Sequence, residues 1–102
     1  MLLLLSQNNF LDVIHDNLEN IKTRYKVKSI GLFGSFANNL GTLASDVDIL
    51  VEFEDGFETF DNYMDLKFYL ENIYQKKVDL VMRDAPINPR IKSRILSEVK
   101  YA

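Results

Sequence analysis

Three aspartates stand at the ends of apolar, strand-like segments, where a carboxylate needs a partner or a chemical role. Asp46 and Asp48 are two residues apart at the start of the segment VDILVEF. Alternate residues of an extended chain project from the same face, so their α-carbons are expected roughly 6–7 Å apart. Asp79 lies in a second apolar segment, KVDLVM. If the two strands are neighbours, the three carboxylates meet at one end of a sheet.

Such a cluster is suited to one or two divalent cations. Mg²⁺ binds oxygen ligands at about 2.1 Å, and two-metal sites hold their ions about 3.5–4 Å apart, which matches the expected spacing. Two like charges about 4 Å apart repel by roughly 4 kcal/mol at an effective dielectric near 20, so without a cation the cluster would take up protons. With metal bound, it would hold a triphosphate and stabilise leaving pyrophosphate. We hypothesise that Asp79 is the general base.

A Gly-Ser pair precedes Asp46 with ten residues between them, and it lies where a strand ends and a short helix is expected to begin. Glycine lets another backbone approach closely, and the start of a helix offers free amide groups to oxyanions. Gly34 and Ser35 are therefore candidate nucleotide-binding residues, with the Ser35 hydroxyl near a β- or γ-phosphate oxygen. Both are weak signals when taken alone.

Each feature also has an ordinary structural explanation. The Asp-x-Asp pair could be a polar strand entry, the Gly-Ser pair a plain turn, and Asp79 could pair with Lys67 or Lys77. The order of all three features along the chain favours a site over three coincidences. His15, the only histidine, has no partner at metal-ligand spacing and is interpreted as structural or exposed. A solvated helix face accounts for the basic residues Arg90, Lys92 and Arg94.

Hydrophobic periodicity supplies the elements that would position these residues. Apolar residues at three- and four-residue steps predict helices, short β-rich segments predict strands, and Asn88-Pro89 is typical of a helix start. The predicted helices cover residues 9–26, 35–39, 60–75 and a closing segment after 89; the predicted strands cover 28–33, 47–53 and 77–82. The chain of 102 residues suits one α/β domain, residues 1–102, with a small sheet covered by helices.

Composition narrows the function classes. The chain is 47% hydrophobic, has no cysteine and carries a net charge of -3, so disulfides and thiolate sites are excluded and direct nucleic-acid binding is not expected. Residues 46–66 hold eight acidic residues and no Lys or Arg. The opening MLLLLS is too short for a secretory core or a membrane span. We interpret the protein as cytoplasmic, with no membrane association.

Gly34-Ser35, ten intervening residues and Asp46-Val47-Asp48 resemble the signature of the polymerase-β-like nucleotidyltransferases. The short chain, the LVEF and KVDLV segments and the tail PRIKSRILSEVKYA resemble the minimal, MNT-type branch. This resemblance implies a mixed β-sheet flanked by helices, with Asp46, Asp48 and Asp79 as Mg²⁺ ligands. It also implies a hetero-oligomer with a HEPN-domain ribonuclease toxin, which the antitoxin silences by transferring AMP from ATP to a tyrosine.

One departure from the family pattern is visible: Asn38-Asn39 follow Ala37 where the family usually has Arg-Gly. Two hypotheses therefore stand. The first is a protein adenylyltransferase that modifies its partner, favoured by the three acids. The second is a protein that keeps the fold but neutralises its partner by binding alone, favoured by Asn38-Asn39. Antibiotic nucleotidylation is disfavoured because little chain remains to hold a drug.

Overall fold

The structure is a computed structural model that describes residues 7–37 and 45–102. Helices and strands alternate along the chain much as the periodicity predicts. The elements are α1 (Gln7–Asp16), α2 (Leu18–Tyr25), β1 (Val27–Phe33), α3 (Gly34–Ala37), β2 (Val47–Phe53), α4 (Phe60–Tyr74), β3 (Val78–Met82), α5 (Pro89–Glu98) and β4 (Lys100–Tyr101).

The strands form one mixed sheet in the order β3-β2-β1-β4. β1 is antiparallel to both β2 and β4, whereas β2 and β3 are parallel. Parallel neighbours need a crossover connection, and α4 supplies it. The predicted fold class, a small mixed sheet flanked by helices, is confirmed.

The two faces of the sheet differ in what covers them. On β2 the residues of one face, Val47, Ile49 and Val51, are fully buried and belong to the main core with α1, α2 and α4. We call this the inner face. The alternate residues Asp48 and Leu50 point to the outer face, where α5 contributes to a smaller apolar cluster. The period of two in a strand therefore separates the core from the acids.

Three aromatic rings join elements that are far apart in sequence. Phe10 of α1 stacks between Phe36 of α3, with 4.2 Å between ring centroids, and Tyr74 of α4, at 5.1 Å. The Tyr74 hydroxyl also donates a hydrogen bond to the carbonyl of Phe10. Burial raises the pKa of Tyr74 far above its ordinary value. The stack holds α3, which begins at Gly34, against the inner core.

Two helix starts follow from side-chain caps. The Thr59 hydroxyl accepts a hydrogen bond from the Asn62 amide at 3.1 Å at the start of α4. The Asn88 side chain accepts from the Arg90 amide at 2.9 Å, and Pro89 occupies the first turn of α5. These contacts satisfy backbone donors that have no partner within the helix. The prediction of a helix start at Asn88-Pro89 is confirmed.

The prediction of a single helix over residues 9–26 is wrong. The chain leaves helical geometry at Asn17, whose φ is -106° and ψ is 6°. Its side-chain amide donates to the Val13 carbonyl at 2.7 Å, and its backbone amide donates to Ile14 at 3.1 Å. Asparagine competes in this way for backbone hydrogen bonds, which explains the break. The apolar face nevertheless continues, because Ile14 and Ile21 are both fully buried.

β4 was not predicted at all. Two residues are too few for a periodic pattern, yet Lys100 and Tyr101 pair with Leu32 and Gly31 of β1. The departure at Asn38-Asn39 and the apolar opening lie outside the described residues. Within the part of the chain that is described, no helix has the length and apolarity needed to span a membrane.

Candidate active site

Asp48 and Asp79 are brought side by side by the parallel pairing of β2 and β3. Asp48 of β2 is the register partner of Asp79 on β3, and on its other side it is the partner of Phe33 at the end of β1. Paired residues of neighbouring strands project from the same face. Asp46 lies just before β2 and is exposed. The predicted convergence of the strands that carry the acids is thus seen in the backbone.

Gly34 provides the space that the Asp48 carboxylate occupies. Its φ of 71° lies in the left-handed region, which side chains disfavour. A β-carbon at this position would collide with the Asp48 Oδ2 atom and lie 3.0 Å from its Cγ. Because Phe33 is the strand partner of Asp48, the turn after Phe33 is fixed directly beside this carboxylate. The requirement for glycine is therefore steric as well as conformational.

The electrostatics of Asp48 reflect crowding without a neutralising charge. Burial of this half-buried carboxyl, followed by the negative charges of Asp79 and Asp46, raises the pKa of Asp48 from 3.8 to about 6. Burial and the nearby Asp79 charge also raise the pKa of Tyr63, whose hydroxyl donates to the Leu80 carbonyl at 2.6 Å. Both effects favour protonated forms, which a bound cation would oppose.

The donor atoms fit a hard divalent cation in their chemistry, since all three candidate ligands are carboxylates. Their placement is looser than a metal site demands. Within residues 7–37 and 45–102, no three His, Cys, Asp or Glu side chains lie close enough to hold one ion. The predicted ligands Asp46, Asp48 and Asp79 therefore share one neighbourhood without converging on a single point.

A cavity of about 430 Å³ opens beside the acids on the outer face. α5 forms one wall through Ile91, Arg94 and Ile95, while Gly34 and Asp79 lie on the opposite side. Ile91 is 53% exposed, so the cavity has an apolar rim open to solvent. Of the three predicted aspartates, Asp79 borders this space, which can admit a ligand.

Sequence reasoning missed the role of α5 in lining this cavity. Arg94 was assigned to a solvated helix face; its side chain is 79% exposed and its Nε lies 3.3 Å from the Glu98 carboxylate, but it also borders the cavity. The signal was present, because Ile87, Ile91 and Ile95 recur at four-residue steps. His15 is exposed, as expected.

Ser35, the other nucleotide-binding candidate, is half-buried in α3 directly after Gly34. It thus lies one residue from the turn that contacts Asp48, although it is not among the residues that line the cavity. The structure places Gly34, Asp48 and Asp79 in one neighbourhood, with Ser35 at its margin.

Paired carboxylates on one sheet face, next to a glycine turn, are an arrangement that a metal-dependent phosphoryl-transfer site can use. Comparison with known proteins gives the family. Residues 16–102 match the family described as nucleotidyltransferase domain. The chain belongs to this family. The expectation of a nucleotidyltransferase enzyme is confirmed.

Two relatives illustrate the similarity. A Methanocaldococcus jannaschii protein, provisionally named a protein adenylyltransferase, is 41% identical over 91 residues, or 88% of this chain and 91% of that protein. The protein adenylyltransferase MntA of Thermococcus cleftensis is 36% identical over 83 residues, or 81% and 82% of the two chains.

Solved structures agree with the fold. A minimal nucleotidyltransferase, provisionally so named, is 27% identical with a TM-score of 0.77 and covers 93% of this chain and 94% of its own. A mutant of the MntA–HpeT toxin–antitoxin pair is 25% identical with a TM-score of 0.62, covering 95% and 71%. A tri-AMPylated Shewanella oneidensis HEPN toxin in complex with MNT antitoxin is 22% identical with a TM-score of 0.56, covering 93% and 66%; at this identity it supports the fold alone.

Proposed function

We propose that this nucleotidyltransferase is an antitoxin that transfers AMP from ATP to a tyrosine hydroxyl of a HEPN-domain toxin. The observation that carries the proposal is the pairing of Asp48 with Asp79 beside the Gly34 turn. The names of the relatives support protein adenylylation, and one of them is an MntA protein. The toxin–antitoxin pair that is 25% identical to this chain supports a toxin as the kind of partner.

The chain's own residues would divide the reaction between two ends of the site. At one end, Gly34 allows the triphosphate to approach the backbone and the Ser35 hydroxyl donates to a phosphate oxygen. At the other, the Asp79 carboxylate takes the proton of the tyrosine hydroxyl. The tyrosine oxygen forms a bond to the α-phosphorus while the bond from that phosphorus to the bridging oxygen breaks. Pyrophosphate leaves with the electron pair.

Asp46, Asp48 and Asp79 would hold Mg²⁺, two ions in the full site. When bound, the ions supply positive charge that offsets the developing negative charge on the phosphates. The raised pKa of Asp48 supports this assignment. Burial and the charges of Asp79 and Asp46 disfavour its ionised form, and a bound cation would offset that effect. The side chains would have to draw closer than they lie in the structure.

A second candidate function is neutralisation of the partner by binding without catalysis. The observation that favours it is the separation of the carboxylates, since no three acidic groups among the described residues form a metal site. The replacement of Arg-Gly by Asn38-Asn39 points in the same direction.

Incubation of the purified chain with labelled ATP, Mg²⁺ and a HEPN-domain partner separates the two functions. We expect label on the partner with the wild type, and none with Asp48→Asn or when Mg²⁺ is removed by chelation. Mapping by mass spectrometry should place the label on tyrosine. A partner that is inhibited but carries no label would establish binding alone and overturn the transfer.

Nucleotide binding gives an independent test. Ligands that bind only the native state stabilise it, so ATP with Mg²⁺ should raise the melting temperature more than either alone. Asp48→Asn should abolish the added effect of the metal. An unchanged melting temperature in all conditions would count against the site.

A further inference from the structure

The core covers one side of α4, and two phenylalanines lie on the side that it leaves exposed. Its inner side buries Leu66 and Leu70 completely. Its other side leaves Phe60 77% exposed and Phe68 58% exposed, and Phe57, just before the helix, is 41% exposed. We call these three phenylalanines the α4 aromatic surface. A group of large exposed apolar side chains marks an interaction site on a protein surface.

The α4 aromatic surface has an acidic border. Five exposed acidic residues surround it in sequence, namely Glu54, Asp55, Glu58, Asp61 and Asp65. Among residues 7–37 and 45–102, none of the five forms an ion pair. Lys67 is the only basic residue of α4 itself. Arg24 lines a pocket together with Asp65 and Phe68, but the five acids outnumber the basic residues beside them, so the border keeps a net negative charge.

The Phe57 ring of this surface already contacts a cation of the same chain. The ammonium group of Lys26 lies 5.9 Å from the centroid of the Phe57 ring, within the range of a cation–π contact. Within the described part of the chain, Phe60 and Phe68 have no such cation over their rings. Lys or Arg side chains of a partner could take the same position over these two rings.

This surface lies away from the candidate active site in two respects. α4 packs on the inner face, whereas Asp48 and α5 lie on the outer face. Phe57 and Phe60 follow the end of β2, whereas Asp46 and Asp48 stand at its beginning, and a seven-residue strand is about 20 Å long. A partner bound to the α4 aromatic surface would leave the cavity beside Asp79 open.

We propose that the α4 aromatic surface is a docking site for a basic protein partner that presents Lys and Arg around apolar side chains. Exposed aromatic anchors with a charged rim are typical of protein interfaces. The net negative charge of the border opposes the binding of nucleic acids and anionic lipids. Under the proposed function, on which this inference rests, the partner is the HEPN toxin, held at a site separate from the one that modifies it.

The test measures the affinity of the chain for an unmodified HEPN-domain partner in the absence of ATP. Phe60→Ser/Phe68→Ser should weaken binding by about 30-fold or more. Tyr101→Ser is the matched control, since Tyr101 is an aromatic residue of similar exposure, 52%, on β4, and it should leave the affinity within about twofold. Asp61→Asn/Asp65→Asn should weaken binding several-fold and reduce its dependence on salt.

Asp48→Asn separates this inference from the proposed function. We expect it to bind the partner like the wild type while losing transfer. A wild type that binds but never labels the partner would end the transfer proposal and leave the docking site standing. Unchanged affinity in Phe60→Ser/Phe68→Ser would overturn the docking site. So would a wild type with no affinity for the partner, or a wild-type dimer that these two substitutions convert to a monomer.

Discussion

The same strands form both faces of the sheet, but the two faces differ in the interactions that dominate them. On the inner face, Val47, Ile49 and Val51 pack against three helices and are fully buried. On the outer face, Asp48 comes between these residues in sequence and is crowded by two other carboxylates. The inner face gains stability from apolar burial, whereas the outer face stores electrostatic repulsion that a ligand can relieve. One strand therefore carries both the core and the candidate chemistry.

The strongest test of this difference between the faces is to change a residue that lies on the outer face alone. We expect Asp79→Asn to lower the rate constant for AMP transfer by about 10²–10⁴-fold, the range for loss of a general base. Because Asp79 is exposed, the melting temperature should stay nearly unchanged. Single-turnover kinetics at saturating ATP and partner would measure the effect, and a rate close to the wild type would remove Asp79 from its proposed role.

The matching change on the inner face should have the opposite profile. Leu66 is fully buried in α4, and Leu66→Ala should lower the free energy of unfolding by about 2–5 kcal/mol through lost apolar contact and a residual cavity. Urea denaturation would measure this loss. At a temperature where the variant remains folded, transfer should be nearly normal; a loss as large as that of Asp79→Asn would mean that the faces are not independent.

Gly34 lies in the turn beside Asp48, and the stability cost of replacing it can be compared with that of replacing Gly56. Both have positive φ, 71° and 86°, but only Gly34 has side-chain atoms where a β-carbon would lie. Gly56→Ala should cost about 1 kcal/mol for its backbone conformation alone, and Gly34→Ala about 2 kcal/mol or more. Thermal unfolding measures both. Adding Asp48→Ala to Gly34→Ala should recover part of the loss, and equal costs at the two glycines would contradict the steric account.

The smallest expected effect is a gain of stability on losing an acid. The pKa of Asp48 rises from 3.8 to about 6 on folding, so the unfolded chain gives up this proton at lower pH than the native protein. Stability from this group is thus present near pH 4 and lost as the pH rises to about 6. The shift corresponds to at most about 3 kcal/mol, and the partial exposure of Asp48 reduces this to about 1 kcal/mol.

We therefore expect Asp48→Asn to be more stable than the metal-free wild type by about 1 kcal/mol at pH 7.5, a difference that disappears at pH 4. Denaturation curves at several pH values, with chelator present, would measure it. Saturating Mg²⁺ and ATP should narrow the gap by stabilising the wild type alone. A variant less stable than the wild type at neutral pH would contradict the raised pKa.

The helices and strands that were predictable from sequence are those with a long periodic pattern of apolar residues. β2 was placed at its observed bounds, residues 47–53, and the end of β1 at Phe33 was also placed correctly. The break at Asn17 was not predictable from periodicity, because it depends on one side chain that competes for backbone hydrogen bonds. β4 depends on a tertiary contact with Gly31, which no local pattern records.

The candidate site divides in the same way. The two-residue spacing of Asp46, just before β2, and Asp48, within it, could be read from the sequence. The pairing of Asp48 with Asp79 could be expected once the strands were taken as neighbours. The cavity wall formed by α5 could not, because it depends on how that helix packs over the sheet. The proximity of Gly34 to Asp48 likewise depends on register rather than on either residue alone.

The stack of Phe36, Phe10 and Tyr74 has a practical consequence for how small this domain can be made. The family match begins at residue 16, six residues after Phe10. A version trimmed to that boundary would retain every proposed ligand and both paired strands. It would also lose the Phe10 ring, which stacks on Phe36 of α3 next to Ser35, and the Phe10 carbonyl, which accepts the hydrogen bond from the Tyr74 hydroxyl. The shortest stable version of the domain is then determined by the need for Phe10 behind α3, and not by the residues that perform the reaction.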